Sequence, residues 1–402
     1  MRAKKEPACA EKSSGRQKKG AAGTGEGRNV TLVAWNFGPG KGKDGYLNDR
    51  GEVAIPPQFD GLSDFVDGMA DVRVGDNKYG VIGTDGKFLL PPKFEFLMHR
   101  GGRLWTFDEG GRDGLVDIDG EVLIPPTFHV IGNFVNGVAK AAISKEDWGF
   151  INVRGEPLTE FCYDYADEFR CGLGRVKVGN SNGFLDNNFR IKIGLTRRRW
   201  FWTEFFDGLV SFREDGRVGF MNTSGRVVTE PQFTSARNYS KGIAWVRSGR
   251  EWGIINKKGE FVSEPKFAEC DYFSEGLAWV RIGRLWGAVD RRGEFAFEPK
   301  FAPGKFDHGR RRGRRPMKPR QFSCGLARVA VKRQGECRFG YVDRAGEFRI
   351  PPVFSNAGDF HGGVARALFR DKKRYRPQYW QASLVSVNGE VLYGPHKGEV
   401  LG

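Results

Sequence analysis

Short runs of alternating hydrophobic and polar residues, each ended by glycine or proline, recur along most of the chain. Residues 274–301 contain three such runs, at Leu277–Arg281, Trp286–Asp290 and Glu294–Phe297. Asp290 and Gly293 suit the first and fourth positions of a type I turn, which joins two strands of a hairpin. Pro299 ends the third run, because proline cannot donate a hydrogen bond to a β-ladder. The pattern predicts a three-stranded β-meander.

The same unit recurs at intervals of mostly 34 to 36 residues, with one glycine as its fixed point. This anchor glycine is found at Gly45, Gly80, Gly114, Gly149, Gly183, Gly219, Gly253, Gly287 and Gly340. A tenth unit has Ser383 in its place. In most units a second glycine follows six residues later, a proline twelve later, an aromatic residue fourteen later and a third glycine twenty-three later. Such regular spacing predicts a tandem array of about ten β-repeats.

The residue before the anchor glycine is often aromatic. The aromatic and glycine pairs are Tyr79 and Gly80, Trp148 and Gly149, Trp252 and Gly253, Trp286 and Gly287, and Phe339 and Gly340. One meander buries too little apolar surface to be stable alone, so neighbouring units must cover each other. We therefore expect these residues to form the repeat core, with the ring sealing the joint between units and the glycine allowing close backbone approach.

The repeat signature resembles the WG repeat family, also called KWG repeats, which occurs mostly in bacteria. It is read directly at Phe273–Ala278, Trp252–Asn256 and Glu264–Phe267. The resemblance extends from about Val30 to Pro395. It implies a binding or scaffolding role, and it provides no catalytic residues to transfer to this chain.

The predicted fold is all-β, with about ten three-stranded meanders in tandem. Radial repetition into a closed, propeller-like toroid would protect strand edges. An open superhelical array has the same repeat length and the same signature. The sequence leaves both arrangements open.

Two units depart from the signature. In the unit around Gly183 the aromatic position holds Asn182, the second glycine and the proline are missing, and the chain reads Arg197–Trp202. In the unit around Gly114 the aromatic position holds Asp113. Departures of this kind arise either from sequence drift or from adaptation to a ligand, since loops on rigid scaffolds often carry function.

Positive charge is concentrated outside the regular repeats. The formal net charge is +16, and residues 1–28 and 303–320 carry most of it. We expect a disordered basic, glycine-rich tail at 1–28 and a repeat array at 29–402, interrupted by a basic loop insertion at about 303–320. Basic segments attract nucleic acids and other polyanions, but they also serve simply as solvated surface.

Candidate ligand contacts are basic residues beside aromatic rings. They are Arg197, Arg198, Arg199, Trp200 and Trp202, together with Arg310, Arg311, Arg312, Arg314 and Arg315 in the insertion. Nucleic-acid sites combine rings that stack on bases with arginines that contact phosphates. Trp200 and its neighbours also suit an ordinary β-core.

No catalytic, metal-binding or cofactor-binding pattern is found in the sequence. The five histidines lie in different units at no shared position, and no nucleophile elbow or phosphate loop is present. We therefore expect a non-enzymatic scaffold for protein–protein interaction without a cofactor. The alternative is a nucleic-acid or polyanion-binding protein that uses the arginine-rich loops. The lack of a signal peptide or apolar span predicts a cytoplasmic location without a membrane span, and the oligomeric state is not predicted.

Overall fold

The structure, a computed structural model, describes residues 31–36, 43–305, 316–333, 336–369, 381–394 and 397–401. Every regular element in these ranges is a β-strand, and none of them contains a helix that could span a membrane. The predicted tail at 1–28 and residues 306–315 of the predicted insertion lie outside the described residues.

The strands form ten small antiparallel sheets, one after another along the chain, which we number as blades 1 to 10. Blade 1 contains β1 (Val33–Asn36), β2 (Asp44–Leu47) and β3 (Val53–Phe59). Blade 2 contains β4 (Gly61–Leu62), β5 (Met69–Val74), β6 (Lys78–Gly83) and β7 (Phe88–Phe94). Blade 3 contains β8 (Leu97–His99), β9 (Leu104–Glu109), β10 (Arg112–Asp117) and β11 (Val122–Phe128). Blade 4 contains β12 (Val130–Ile131), β13 (Val138–Ala142) and β14 (Trp148–Asn152). Blade 5 contains β15 (Tyr165–Ala166), β16 (Leu173–Val178), β17 (Ser181–Asp186) and β18 (Ile191–Thr196). Blade 6 contains β19 (Trp200–Phe201), β20 (Leu209–Glu214), β21 (Arg217–Asn222) and β22 (Val227–Phe233).

The remaining blades follow the same order. Blade 7 contains β23 (Ser235–Ala236), β24 (Ile243–Ser248), β25 (Glu251–Asn256) and β26 (Phe261–Phe267). Blade 8 contains β27 (Glu269–Cys270), β28 (Ala278–Ile282), β29 (Leu285–Val289) and β30 (Phe295–Phe301). A separate two-stranded sheet, β31 (Gly304–Lys305) and β32 (Pro316–Met317), lies within the predicted insertion at about 303–320. Blade 9 contains β33 (Ala327–Arg333), β34 (Glu336–Val342) and β35 (Phe348–Phe354). Blade 10 contains β36 (Asn356–Ala357), β37 (Val364–Phe369), β38 (Gln381–Ser386) and β39 (Val391–Tyr393).

The predicted meander forms the body of nine blades, and seven of these add a short strand before it; blade 4 has the short strand β12 and only two further strands, β13 and β14. In blade 8 this strand is β27, which pairs with β28 through Glu269↔Arg281 and Cys270↔Val280. It is too short to show alternation in the sequence. It follows directly after the last strand of the preceding blade, so it also fixes how the chain crosses from one blade to the next.

The blades close into a ring. Ten buried hydrophobic clusters occur among the described residues, and each joins two neighbouring blades. An open row of ten blades would have nine such joints. The tenth cluster packs Trp35 and Leu47 of blade 1 on Val364 and Leu384 of blade 10. The array is therefore a ten-bladed β-propeller, which confirms the all-β repeat fold and resolves the choice between toroid and superhelix.

The anchor glycine is required where the last strand of a blade crosses close to the middle strand. A Cβ atom on Gly253 would lie 2.7 Å from the Ser263 carbonyl oxygen and 2.8 Å from the Pro265 nitrogen. The ladder shifts register here, between Trp252 and Ile254. Any side chain at Gly253 would push the two strands apart.

The turn between the middle and last strands is held by a side-chain cap. The Asp290 Oδ1 atom accepts hydrogen bonds from the backbone N–H groups of Arg292, at 2.8 Å, and Glu294, at 3.1 Å. Gly293 has a φ of 79°, which favours glycine. Asn256 accepts the equivalent pair of bonds in blade 7. These side chains therefore cap the turns.

Candidate functional site

The joint between blades 5 and 6 is built differently from a regular joint. In blade 7, Trp252 pairs across the ladder with Phe267, which is completely buried. In blade 5 the equivalent pair is Asn182 and Thr196, and the last strand is one residue shorter at this point. Asn182 is buried, but Thr196 is partly exposed. Two large rings are thus replaced by two small polar side chains.

The smaller side chains leave an open groove of about 480 Å³ between these blades. Its lining combines an apolar floor with cations and hydroxyl groups, and consists of Lys192, Ile193, Gly194, Thr196, Arg198, Arg199, Phe201, Met221, Ser224 and Gly225. Ile193, Phe201 and Met221 are buried members of the joint cluster. The groove therefore lies over an intact core and is not a gap through the ring.

Positive charge dominates the rim of the groove. Arg198 and Arg199 both form ion pairs with Glu214, which is buried. The side chain of Arg198 is 74% exposed, so most of it stays available to a ligand. Arg199 also lies over the Phe212 ring, at 5.1 Å from the guanidinium carbon to the ring centroid. With Lys192, three cations face one carboxylate, and the site favours an anionic ligand.

Two predicted aromatic contacts flank the groove. Strand β19 directs Phe201 into the core and leaves Trp200 partly exposed. Trp202, just after the strand, is 47% exposed. Arg213 lies 4.7 Å from the centroid of a Trp202 ring. The structure therefore brings Arg198, Arg199 and the two tryptophans to one joint.

The other predicted residues divide into two groups. Phe339 and Trp286 are buried, whereas Tyr79, Trp148 and Trp252 are partly buried, and all five pack against clusters that join their blade to the next. Arg197 is exposed and does not line the groove. The candidates Arg310, Arg311, Arg312, Arg314 and Arg315 lie outside the described residues.

A polar cluster between blades 4 and 5 was not anticipated from the sequence. Arg175 contacts the Asp167 carboxylate at 2.6 Å, and Lys140 lies 3.8 Å from it. Burial and a hydrogen bond with Asp167 raise the pKa of Tyr165 to about 12. The sequence does contain an indication of this cluster. Lys140 and Arg175 are charged residues at the repeat position that holds the aromatic Trp245 in blade 7.

The Asp167 cluster is best explained as a structural network. Lys140 also lies over the Tyr165 ring, at 5.4 Å from its centroid, so its charge is shared between a carboxylate and a π-face. Close by, burial raises the pKa of Glu204, and Arg170 contacts that carboxylate at 2.6 Å. Each charge named here has a partner of opposite sign, which limits the cost of burying it.

Metal and cofactor chemistry finds no support in the described part of the chain. Its histidine, cysteine, aspartate and glutamate side chains form no group of three that could hold a metal ion. A second, smaller cavity of about 220 Å³ is lined by Val135, Asn136, Val138, Phe169, Asn187 and Phe189, none of them charged. The groove between blades 5 and 6 is thus the better candidate for a charged ligand.

Comparison with known proteins identifies the repeat. The family model described as "WG containing repeat" matches residues 45–79, 79–99, 114–147, 148–181, 219–250, 252–286 and 339–372. These matches cover more than half of the chain. They do not include the unit around Gly183, which contains the groove strand. No curated protein matches the chain significantly.

Several solved structures are distantly similar. A dihydro-heme d1 dehydrogenase, NirN, in complex with DHE is 13% identical, with a TM-score of 0.36 over 80% of this chain and 72% of its own. Hsv2p of Kluyveromyces lactis is 10% identical, with a TM-score of 0.34 over 70% of this chain and 94% of its own. BamB of Moraxella catarrhalis is 11% identical, with a TM-score of 0.32 over 68% and 97%. Likeness at this distance says nothing about function.

Proposed function

This chain belongs to the family of proteins built from WG-containing repeats, and from that premise we propose that it is a non-enzymatic scaffold that binds another protein. The repeat signature supports this proposal because each of its elements has a structural role. Aromatic residues fill the joints, anchor glycines permit strand crossing, and Asp or Asn side chains cap turns. The signature therefore maintains a rigid ring, and recognition falls to residues outside it.

The observation that carries the proposal is the contrast at one joint. Blade 5 lacks the aromatic pair, and in its place the surface presents a groove lined by Arg198 and Lys192, with the exposed Trp202 directly after the groove residue Phe201 in the chain. Arginine and tryptophan are enriched among the residues that dominate binding energy in protein interfaces. We propose this joint as the main contact surface, with no cofactor and no catalytic residue.

The proposal is tested by crosslinking the full chain in a lysate at moderate salt and identifying its partners by mass spectrometry. Arg198→Glu combined with Trp202→Ala changes the proposed surface. Lys266→Glu is the matched control, because Lys266 is an exposed cation on the last strand of blade 7. We expect the double variant to lose at least ten-fold in recovery of a specific partner and the control to retain it. Equal recovery by both variants would contradict the proposed surface.

A second candidate function is binding of nucleic acid or another polyanion. The observation that favours it is the exposure of Trp200 and Trp202 next to cations, with Lys177 lying 6.0 Å from a Trp200 ring centroid. Arg197, Arg198 and Arg199 would supply phosphate contacts. The division into a basic tail at 1–28, an array at 29–402 and a basic insertion near 303–320 is part of this proposal.

Salt dependence separates the two candidates. Fluorescence anisotropy of a labelled single-stranded RNA and of a DNA duplex would be measured over a salt series. The full chain would be compared with a version that lacks residues 1–28 and 305–320. Binding that survives about 0.15 M salt and is lost on trimming would favour the polyanion function. Binding that disappears near 0.15 M salt, where the electrostatic screening length is about 8 Å, would instead indicate that the basic residues are ordinary solvated surface and not a nucleic-acid site.

A further inference from the structure

The last strand of blade 5, β18, has no proline and in this differs from the last strands of seven other blades. Prolines occur in the last strands of seven other blades, at Pro56 and Pro57, Pro91 and Pro92, Pro125 and Pro126, Pro231, Pro265, Pro299, and Pro351 and Pro352. Each of these strands is the end strand of its sheet. Proline on an edge strand blocks the addition of further strands, because it lacks an N–H group and carries a bulky ring.

Leu195 stands where the other blades have this proline. A Cβ atom on the anchor glycine Gly183 would lie 3.0 Å from the Leu195 nitrogen. The corresponding distance is 2.8 Å from Gly253 to the Pro265 nitrogen, and 2.9 Å from Gly219 to the Pro231 nitrogen. As far as Leu195 the backbone thus follows the same path in blade 5, but without the residue that protects the edge, and the one-residue shortening of the strand comes after it.

The edge of β18 is also uncovered among the described residues. Strand β18 pairs with β17 alone and ends its sheet. The last strand of blade 10, β39, is likewise free of proline, but the terminal segment returns against it: the Val391 N–H group donates to the Glu399 carbonyl oxygen at 2.8 Å. Strand β14, which ends the sheet of blade 4 without a proline, is covered by the following chain, because the Tyr163 N–H group donates to the Trp148 carbonyl oxygen at 3.2 Å. Among the described last strands, β18 therefore combines a proline-free sequence with an open edge.

We propose that β18 docks an extended acidic peptide segment of a partner protein, which adds to blade 5 as a fifth strand. This proposal rests on the scaffold function and specifies its site and partner chemistry. Main-chain hydrogen bonds along the strand would supply affinity, and side chains in the neighbouring groove would supply specificity. Carboxylates on alternate residues of the peptide would reach Lys192 and Arg198, whereas apolar residues would contact the floor around Ile193.

The surroundings of β18 favour an acidic peptide over a nucleic acid. An edge strand presents backbone donors and acceptors at the spacing of another polypeptide strand, which a nucleic acid does not match. The groove floor formed by Phe201 and Met221 is apolar. The charge at the rim is limited to three cations, two of which, Arg198 and Arg199, share the single carboxylate of Glu214. This amount of charge suits two or three carboxylates.

A peptide probe tests the proposal directly on the full-length chain. The probe is a fluorescein-labelled eight-residue peptide in which glutamate alternates with valine or threonine. Its matched control has the same sequence with N-methyl groups on alternate residues, placed in either of the two possible phases. N-methylation keeps the charge but removes the donors needed for strand pairing. We expect the unmodified peptide to bind, and at least one phase of N-methylation to weaken binding ten-fold or more.

Variants of the chain provide the second arm. Leu195→Pro restores the residue that the other blades carry, so we expect it to fold with an unchanged thermal midpoint and to bind the peptide at least ten-fold more weakly. Lys192→Glu combined with Arg198→Glu should cause a similar loss. Lys266→Glu in blade 7 should change binding by less than two-fold.

Several results would overturn the proposal. Equal binding of the methylated and unmodified peptides would show that only charge attracts them. No binding of the peptide, or binding of a single-stranded RNA alone, would exclude β18 as a peptide dock. A partner that is still crosslinked through Trp202 in that case would preserve the scaffold function and move its site away from the strand edge.

Discussion

The joints between blades 7 and 8 and between blades 5 and 6 show how one repeat supports two kinds of surface. At the first joint Phe267 is completely buried, in edge-to-face contact with Trp245 and Phe295. At the second, Thr196 stands in the equivalent place and a groove opens beside it. Both joints retain a buried hydrophobic cluster. The ring therefore tolerates an open joint because its stability is a sum over many units and interfaces.

The first prediction compares these two positions by truncation. Phe267→Ala should lower the free energy of unfolding by about 3–5 kcal/mol, because it removes a large buried ring and leaves a cavity. Thr196→Ala should cost less than about 1 kcal/mol, because Thr196 is already partly exposed. Thermal unfolding of the full chain would measure both. Similar losses would mean that the 5/6 joint is packed as tightly as the regular joint.

The second prediction compares two glycines on these blades. Gly253→Ala should destabilise the protein by about 2–3 kcal/mol, because the added Cβ atom would overlap the last strand. Gly194→Ala in β18 meets no atom within 4 Å, so we expect a change within about 0.5 kcal/mol or a slight gain. Thermal unfolding again provides the measurement. A large loss from the Gly194 variant would show that β18 is confined on both sides.

The third prediction concerns the polar replacement at the open joint. The Nδ2 atom of Asn182 is buried and has no hydrogen-bond partner within the described ranges. Asn182→Leu should therefore raise the free energy of unfolding by about 1–2 kcal/mol, because it removes an unsatisfied polar group. Asn187→Leu, at an exposed position in the next turn, is the control and should have little effect. A loss of stability in the Asn182 variant would indicate a hydrogen-bonding role.

The fourth prediction concerns alkaline pH and the regular joint. Burial raises the pKa of the Cys270 thiol to about 12, above its value in an unfolded chain. The neutral thiol is therefore favoured by folding, and its contribution is complete below about pH 9 and is lost as the pH rises towards 12. Cys270→Val should leave the thermal midpoint nearly unchanged at pH 8 and reduce its fall at pH 10.5. An identical fall in both proteins would contradict burial of this thiol.

An alanine substitution at the exposed Cys324 provides the control for this experiment, because the φ of 53° at this position disfavours a β-branched side chain. It should leave the pH dependence unchanged. Since Tyr239 is also buried with a raised pKa, some loss of stability at high pH should persist in every variant. Only the difference between the Cys270 variant and the parent chain measures the thiol.

The sequence predicted most of the repeat because its periodic residues act locally. The anchor glycines, the Asp290 and Asn256 turn caps and the three-stranded meander follow from contacts within one unit. Ring closure was not predictable, since it depends on the summed angle between ten blades and on the packing of Trp35 against Tyr393, whose ring centroids are 5.5 Å apart. Neither property can be inferred from the sequence of a single repeat.

The candidate site was predicted in part. Missing signature residues in the unit around Gly183 drew attention to Arg198 and Trp202, and the structure places Arg198 in the lining of a groove and Trp202 directly after the groove residue Phe201. The sequence did not indicate that Leu195 replaces the edge proline in the same backbone position. It also placed a second set of arginines in the insertion, at positions outside the described residues. Grooves and strand edges arise from neighbouring units, so a pattern read along one unit does not contain them.

The joint between blade 1 and blade 10 has a consequence for how such rings change over time. It is made by side chains packed face to face, and each described blade is drawn from one continuous stretch of chain. Within the described residues no strand is exchanged across the seam, so this part of the ring has no topologically special blade. Circular permutation at any blade boundary would preserve every sheet. Duplication or deletion of a unit would likewise change the number of blades, and hence the circumference of the ring, without changing the strand order within the remaining blades.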